Sequence, residues 1–334
     1  MIVEVPLGRR QLPEAVDEVE TPAPSTRMEL GLASTFAAVF KRGVRRYVEI
    51  SGQSEADVVA EIRKRAERMR GEYFGPRISP PQFEYNVPLE RLAYIYKYCT
   101  CSAGLFLEVM EEDQVSAFVQ EAVEKRGDVK VCAFGGGPGT ELVSMSSHLL
   151  RSGFETGVTF TVVDRENNWA ESYEATVREV QSRMALQYGD RPKDWPLTIS
   201  HKSLTLDMHQ TGGFGDVQGL FGYDLHVLNH VVSEIFHEVG KNADALAKIL
   251  QVMGHAAAPG SLLVLIDRDE GWVRETSLKL LQMSSRWDVA IAKGTQNYLL
   301  PRRESFDEFQ PYRTAIVEQP RAKGKVFYIV AERN

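Results

Sequence analysis

The spacing of apolar residues along the chain changes once, at Gly127. From Met28 to about Asp113 they recur three and four apart, which predicts helices over 30–40, 55–70 and 89–110. A Pro- and Gly-containing connection from Gly75 to Pro81 separates the second from the third. After Gly127 short β-rich runs alternate with amphipathic stretches. Strands are expected over 129–134, 158–163, 197–201, 224–228, 262–266, 313–317 and 326–330, with helices over 140–150, 168–187, 233–253 and 272–283. Such alternation predicts βαβ units in a mostly parallel sheet covered on both faces, with ligands at the carboxyl ends of its strands.

The organisation expected is therefore a leader over 1–26, punctuated by Pro6, Pro13, Pro22 and Pro24, a helical extension over 27–124, and an α/β domain over 125–334. Composition narrows the class. Hydrophobic residues make up 43% of the 334 and charged residues 25%, and no apolar run approaches the ~18 residues of a membrane span, so no membrane partner is expected. Met1 to Pro6 carry an early acid and no basic region ahead of an apolar core. That is not a secretory pattern, and the compartment expected is cytoplasm or nucleus. Three cysteines (Cys99, Cys101, Cys132) suit neither a disulfide framework nor a structural zinc site. The net charge of −7 argues against a surface shaped as a whole for nucleic acid. A local RNA-facing patch of Arg42, Arg45, Arg46, Arg63, Arg65 and Arg68 stays open, although interleaved acids also suit a solvated helix face.

The strongest chemical signal is Val129 to Leu142, an apolar strand that runs into Gly135-Gly136-Gly137-Pro138-Gly139 and then a helix. Glycines there permit torsions closed to other residues and let a ligand reach main-chain N–H groups at a helix start. A dinucleotide fingerprint needs a third glycine, yet Thr140 or Leu142 occupies its place, which counts against a nicotinamide dehydrogenase. Histidines 226, 230 and 237 supply no convincing ligand set, so no metal is expected.

The segment resembles the G-x-G-x-G loop of class I S-adenosylmethionine (SAM) dependent methyltransferases, and the resemblance continues in order over about residues 128–334. It rests on Asp164 closing the second strand, an Asp-led fourth strand from Asp224 to Asn229, a Pro259-Gly260 turn into a fifth strand ending at Asp267, and a final antiparallel pair. It implies a Rossmann-like, mostly parallel seven-stranded α/β sheet that binds SAM. It implies cofactor contacts at Gly135, Gly136, Gly137, Gly139, Asp164 with neighbouring Arg165, Ser203 near the adenine, and Asn229. A carboxylate such as Asp164 suits a vicinal diol because its two oxygens take two donors, although an Asp here also suits a helix cap. Where the family usually has an acid before the first glycine this chain has Ala133, so Glu141 or a backbone carbonyl becomes the candidate for the amino group.

Asn229 and His230 fall beside the expected methyl group, and His230 could accept a proton from the acceptor. The alternative is that both hold the loop. Tyr94 and Tyr98 share a helix face and read as core packing or as a lid, with Asp267 on the acceptor side. The acceptor expected is a small molecule or a protein. Alternatives are an RNA base, to which Gly-Gly-Gly with Ser233-Glu-Ile-Phe236 bears a short resemblance in fungal ribosomal RNA uridine methyltransferases, and a SAM-binding scaffold without catalysis.

Overall fold

The computed structural model describes residues 30–74, 83–190, 192, 195–205, 222–233, 243–300 and 304–334. Helices α1 (Leu32–Ser51), α2 (Glu55–Phe74), α3 (Pro88–Tyr94), α4 (Thr100–Met110) and α5 (Asp113–Arg126) precede the sheet. A π-helical turn, Ile95–Cys99, joins α3 to α4. Then follow β1 (Asp128–Phe134), α6 (Thr140–Ser152), β2 (Thr156–Asp164), α7 (Trp169–Tyr188), β3 (Leu197–Thr205), β4 (Leu225–Asn229), α8 (Ala243–Ala256), β5 (Leu262–Arg268), α9 (Gly271–Met283), β6 (Trp287–Leu299), α10 (Tyr312–Ile316) and β7 (Lys323–Arg333).

The seven strands form one Rossmann-like α/β sheet in the order β3-β2-β1-β4-β5-β7-β6. The first five run parallel, while β7 lies antiparallel between β5 and β6. The order reverses between β1 and β4, the point beyond whose strand ends sheets of this kind bind ligands. Both β1 and β4 are buried almost throughout, as strands covered on two faces must be.

The helical extension shares its core with the sheet domain. One apolar cluster runs from Leu30 and Phe40 through Tyr96 and Phe106 to Val131, Phe160 and Tyr328. Phe40 lies 5.4 Å from Tyr96, 5.9 Å from Phe309 and 5.4 Å from Tyr312, so α1 packs on the segment between β6 and β7. Glu304 accepts hydrogen bonds from the N–H groups of Leu32 and Ala33, occupying donors that a helix start leaves open. Lys97 donates to Glu318 and to the carbonyl of Gln319 on the same segment.

Two expectations are corrected. Residues 313–316 belong to a helix, α10, which ends before Val317, and the strand paired with β7 is β6. Tyr312 and Ile316, four apart, are the residues that α10 buries, a helical spacing in a segment too short to show its period. β6 was hidden by two irregularities, between Val289 and Ile291 and between Lys293 and Gln296, which break the two-residue alternation that announces a strand. Helix α5 is a further element that the apolar spacing does not announce, because its buried Val115, Val119, Ala122 and Val123 form only a narrow stripe.

Glu90, fully buried at the start of α3, receives Arg65 at 2.9 Å and Arg68 at 2.6 Å from α2. Glu90→Gln keeps the shape and gives up two charge-assisted bonds, so equilibrium urea unfolding should show a loss of about 1.5 to 3 kcal/mol. Glu67→Gln, whose partner Arg63 is as exposed as itself, should change stability by less than about 0.5 kcal/mol.

Candidate functional site

The turn after β1 is held by its own backbone and by the end of β2. Gly135 N–H donates to Val163 at 2.7 Å and Gly139 N–H to Gly136 at 2.8 Å. Gly135 and Gly139 adopt left-handed torsions, φ 63° and 83°. A Cβ at Gly135 would stand 2.3 Å from Val231 Cγ2, and one at Gly139 2.6 Å from Tyr173 Cδ2, so neighbours as well as torsions require glycine there.

Asp164 clasps this turn. Its Oδ2 accepts from Gly137 N–H and its Oδ1 from Glu166 N–H, both at 3.0 Å. It does not cap α7, whose flanking residue is Asn168. Burial pushes the carboxyl up to about 6 although both N–H groups pull it down, and each oxygen keeps a lone pair. Arg165 is exposed, 3.9 Å from Glu166, and Ser203 lies on β3 opposite Val162, partly exposed.

Behind the turn sits a buried carboxylate. Glu141, at the start of α6, accepts from Thr140 Oγ1 at 2.8 Å and from Asn229 Nδ2 at 2.7 Å. Its Oε2 and Asn229 Oδ1 are buried without a hydrogen-bond partner among the described residues. Burial raises the Glu141 carboxyl against the pull of Thr140 and Asn229. Such orphaned acceptors are uncommon in folded proteins and call for a donor. Gly136, Gly137 and Gly139 thus share one strand end with Glu141, Asp164 and Asn229.

His230 follows on the outer side. It takes a left-handed φ of 60° and donates its N–H to Ile266 at 2.7 Å, which turns its ring towards Asp267. Nδ1 lies 3.9 Å from Asp267 Oδ1. Asp267 is fully buried and accepts from the N–H groups of Ser233 and Arg268, so it supports the loop from behind. Burial lowers the His230 pKa and Asp267 opposes it. For Asp267 burial pushes upward, but His230, Arg268 and Ser233 N–H hold it below the ordinary range.

A narrow cleft with a cavity volume of about 20 Å³ is lined by His230, Tyr94, Tyr98, Ser102, Arg268 and Arg321. Tyr94 and Tyr98 stand 5.4 Å apart, and Tyr94 and Tyr85 meet Trp169 at 5.5 and 5.0 Å. Trp169 in turn would lie 3.7 Å from a Cβ on Gly137, so an aromatic wall faces the glycine turn. Tyr85, Trp169, Ser102, Arg268 and Arg321 are site residues that the sequence reading misses. Only Trp169, five residues beyond the β2 acid at a helix start, carries a usable signal. His226 is buried within β4. His237 and residues 234–236 lie outside the described residues, as do 1–26.

Of the six arginines of the possible RNA-facing patch, five have carboxylate partners. Arg42 pairs with Glu179, Arg46 with Glu171, Arg63 with Glu67, and Arg65 and Arg68 with Glu90; Arg45 is exposed on α1. Among the described residues no group of three His, Cys, Asp or Glu is placed to hold a metal, and no helix is long and apolar enough to cross a membrane.

No family model matches the chain, and no curated protein matches it. Solved structures do resemble it. A SAM-dependent methyltransferase from Methanosarcina mazei aligns at 11% identity over 66% of this chain and 97% of its own, with a TM-score of 0.40. An O-methyltransferase family protein from Burkholderia thailandensis aligns at 10% identity over 83% and 72%, with a TM-score of 0.41. The N-methyltransferase NodS from Bradyrhizobium japonicum, solved with S-adenosyl-L-homocysteine, aligns at 13% identity over 70% and 98%, with a TM-score of 0.35.

Because Asp267 is the group that raises the His230 pKa, Asp267→Asn should move the ring's titration further down, as followed by NMR of the imidazole protons. An unchanged or higher midpoint would show that the two side chains do not interact.

Proposed function

We propose that this chain is a SAM-dependent methyltransferase acting on a small acceptor whose nucleophilic oxygen or nitrogen carries a proton. The observation that carries the reading is the pair of buried, unsatisfied acceptors, Glu141 Oε2 and Asn229 Oδ1, directly behind the glycine turn. A methionine ammonium offers the three donors such a pair lacks. Glu141 thereby takes the role that Ala133 cannot fill.

Asp164 suits the ribose. Its two oxygens, already oriented by Gly137 and Glu166, each retain room for a hydroxyl donor. Trp169 supplies an apolar face beside the turn. When bound, SAM supplies an electrophilic methyl group on a sulfonium, and transfer then depends chiefly on holding the acceptor in line at near-attack distance. The cleft beyond Asn229 is where such an acceptor would approach, by widening a space that now has room for about one water. Tyr94 and Tyr98 form a wall, and His230, kept neutral by burial, can take the acceptor's proton. Asp267 orients the ring and offsets the charge that proton transfer creates. The carboxylate partners of Arg42, Arg46, Arg63, Arg65 and Arg68 weaken the RNA alternative by compensating those charges.

S-adenosylhomocysteine should raise the melting temperature, with about 2.7 kcal/mol of added stability at a hundredfold excess over its Kd, while NAD should give no shift. The opposite pattern would overturn the reading.

Hydroxyl donors favour the ionised carboxylate, so affinity for S-adenosylhomocysteine should climb as pH rises towards about 6 and level off above it, by calorimetry. Asp164→Asn should flatten that profile and weaken binding by about 1.5 to 3 kcal/mol. The sign for folding is the reverse. A carboxyl raised above its ordinary range contributes stability at low pH that is lost as pH rises through about 6.

A further inference from the structure

A second concavity, unrelated to the glycine turn, lies between α1, α3 and α7. It is a trough open to solvent on one side, with a cavity volume of about 180 Å³. α3 and the π-turn divide their side chains between the two places. Arg91, Leu92 and Ile95 line this groove, whereas Tyr94 and Tyr98 line the cleft beside His230.

The lining has two characters. Its walls are aliphatic, from Val39, Ile50, Leu92, Ile95 and Ala175, and Ile50 remains 74% exposed. Around them stand four guanidinium groups, Arg42, Arg46, Arg91 and Arg178, against one lining carboxylate, Glu171. Counting Glu179, which pairs with Arg42, positive charge still exceeds negative by two, in a protein whose net charge is −7.

Arg91 is the one of the four that is buried. It is 5% exposed, and its Nε is buried with no hydrogen-bond partner among the described residues. One terminal nitrogen donates to the carbonyls of Tyr85 and Asn86, at 2.7 and 3.2 Å. The other reaches Glu171 only at 3.5 Å, and Glu171 is half exposed and shared with Arg46. Burial lowers the Arg91 pKa, and Glu171 and Glu166 oppose the shift without reversing it. A buried cation with a vacant donor, at the wall of an apolar trough, calls for an anion that brings hydrocarbon with it.

We infer that the groove is a binding site for a single-chain amphiphile, its apolar tail against Val39, Leu92, Ile95 and Ile50 and its anionic head on Arg91 and Arg178. Aliphatic walls suit an alkyl chain better than a nucleobase, which prefers stacked aromatic rings; Tyr47 is the one aromatic side chain in the lining. The groove shares no lining residue with the glycine turn.

The test is displacement of anilinonaphthalene sulfonate from the full chain by dodecanoate, dodecyl phosphate, uncharged dodecyl maltoside and inorganic phosphate, all below micelle-forming concentrations. Dodecanoate and dodecyl phosphate should displace the dye, and their relative strength tells a carboxylate head from a phosphate one. The maltoside and free phosphate should not displace it at the same concentrations. Saturating S-adenosylhomocysteine should leave the dye in place, and its own binding, measured separately, reports on the methyltransferase reading alone. Arg91→Met should weaken dodecanoate about tenfold or more. Because Arg91 also ties down Tyr85 and Asn86, the exposed Arg178→Glu is the second variant and should weaken it similarly. Equal displacement by the maltoside, displacement by phosphate alone, loss of the dye to S-adenosylhomocysteine, or displacement by a uridine-rich RNA but not by dodecanoate would each overturn the proposal. So would parental affinity in an Arg178→Glu protein of parental melting temperature.

Discussion

The carboxylate of Asp164 closes the first crossover of the sheet. Three glycines with left-handed torsions make the turn after β1 possible but do not choose its shape, since glycine visits many conformations at little cost. Asp164 makes the choice by taking Gly137 N–H on one oxygen and Glu166 N–H on the other, which ties the turn to the end of β2. The position of α6 follows from that tie. So do the depth of Glu141, its contact with Asn229 on β4, and the gap into which His230 looks. The same carboxylate is held partly out of water, so its charge is retained at a cost that a ligand with hydroxyl donors would offset.

The helices before β1 belong to the same body as the sheet. Glu304 occupies the start of α1, Lys97 reaches Glu318, and Phe40 joins a ring cluster with residues between β6 and β7. The extension is therefore anchored at the antiparallel edge of the sheet and reaches across its parallel end, where it supplies Tyr94, Tyr98 and Ser102 to the cleft. Charge is arranged to suit. The guanidinium groups of α2 are matched to carboxylates, whereas those between α1 and α7 are matched only in part.

Much of this was legible in the chain itself. Buried parallel strands are continuous apolar runs, and Val129 to Phe134 and Leu262 to Ile266 declared themselves as such. The glycine turn, Asp164, Glu141 and Asn229 are close in sequence to strand ends, so topology alone brought them together. What stayed hidden depended on long-range packing. The cleft arginines, Arg268 and Arg321, lie 53 residues apart and meet only because β7 folds back beside β5. β6 carries two irregularities that erase its alternation, and α10 is too short to show a period.

The π-turn between α3 and α4 sets which residues can act together. An ordinary α-helix advances 3.6 residues per turn, so side chains spaced by four drift steadily around its axis. A wider turn cancels that drift, and Tyr94, Tyr98 and Ser102, spaced by four, all line the same cleft. Such a turn amounts to one extra residue threaded into a helix. Shortening the chain by one residue at Tyr96 or Lys97 would therefore do more than trim a helix: it would rotate everything upstream by about a quarter turn relative to α4. The cleft would then face a different row of side chains with no substitution made in it, so the length of this segment, as much as its composition, specifies what the cleft presents.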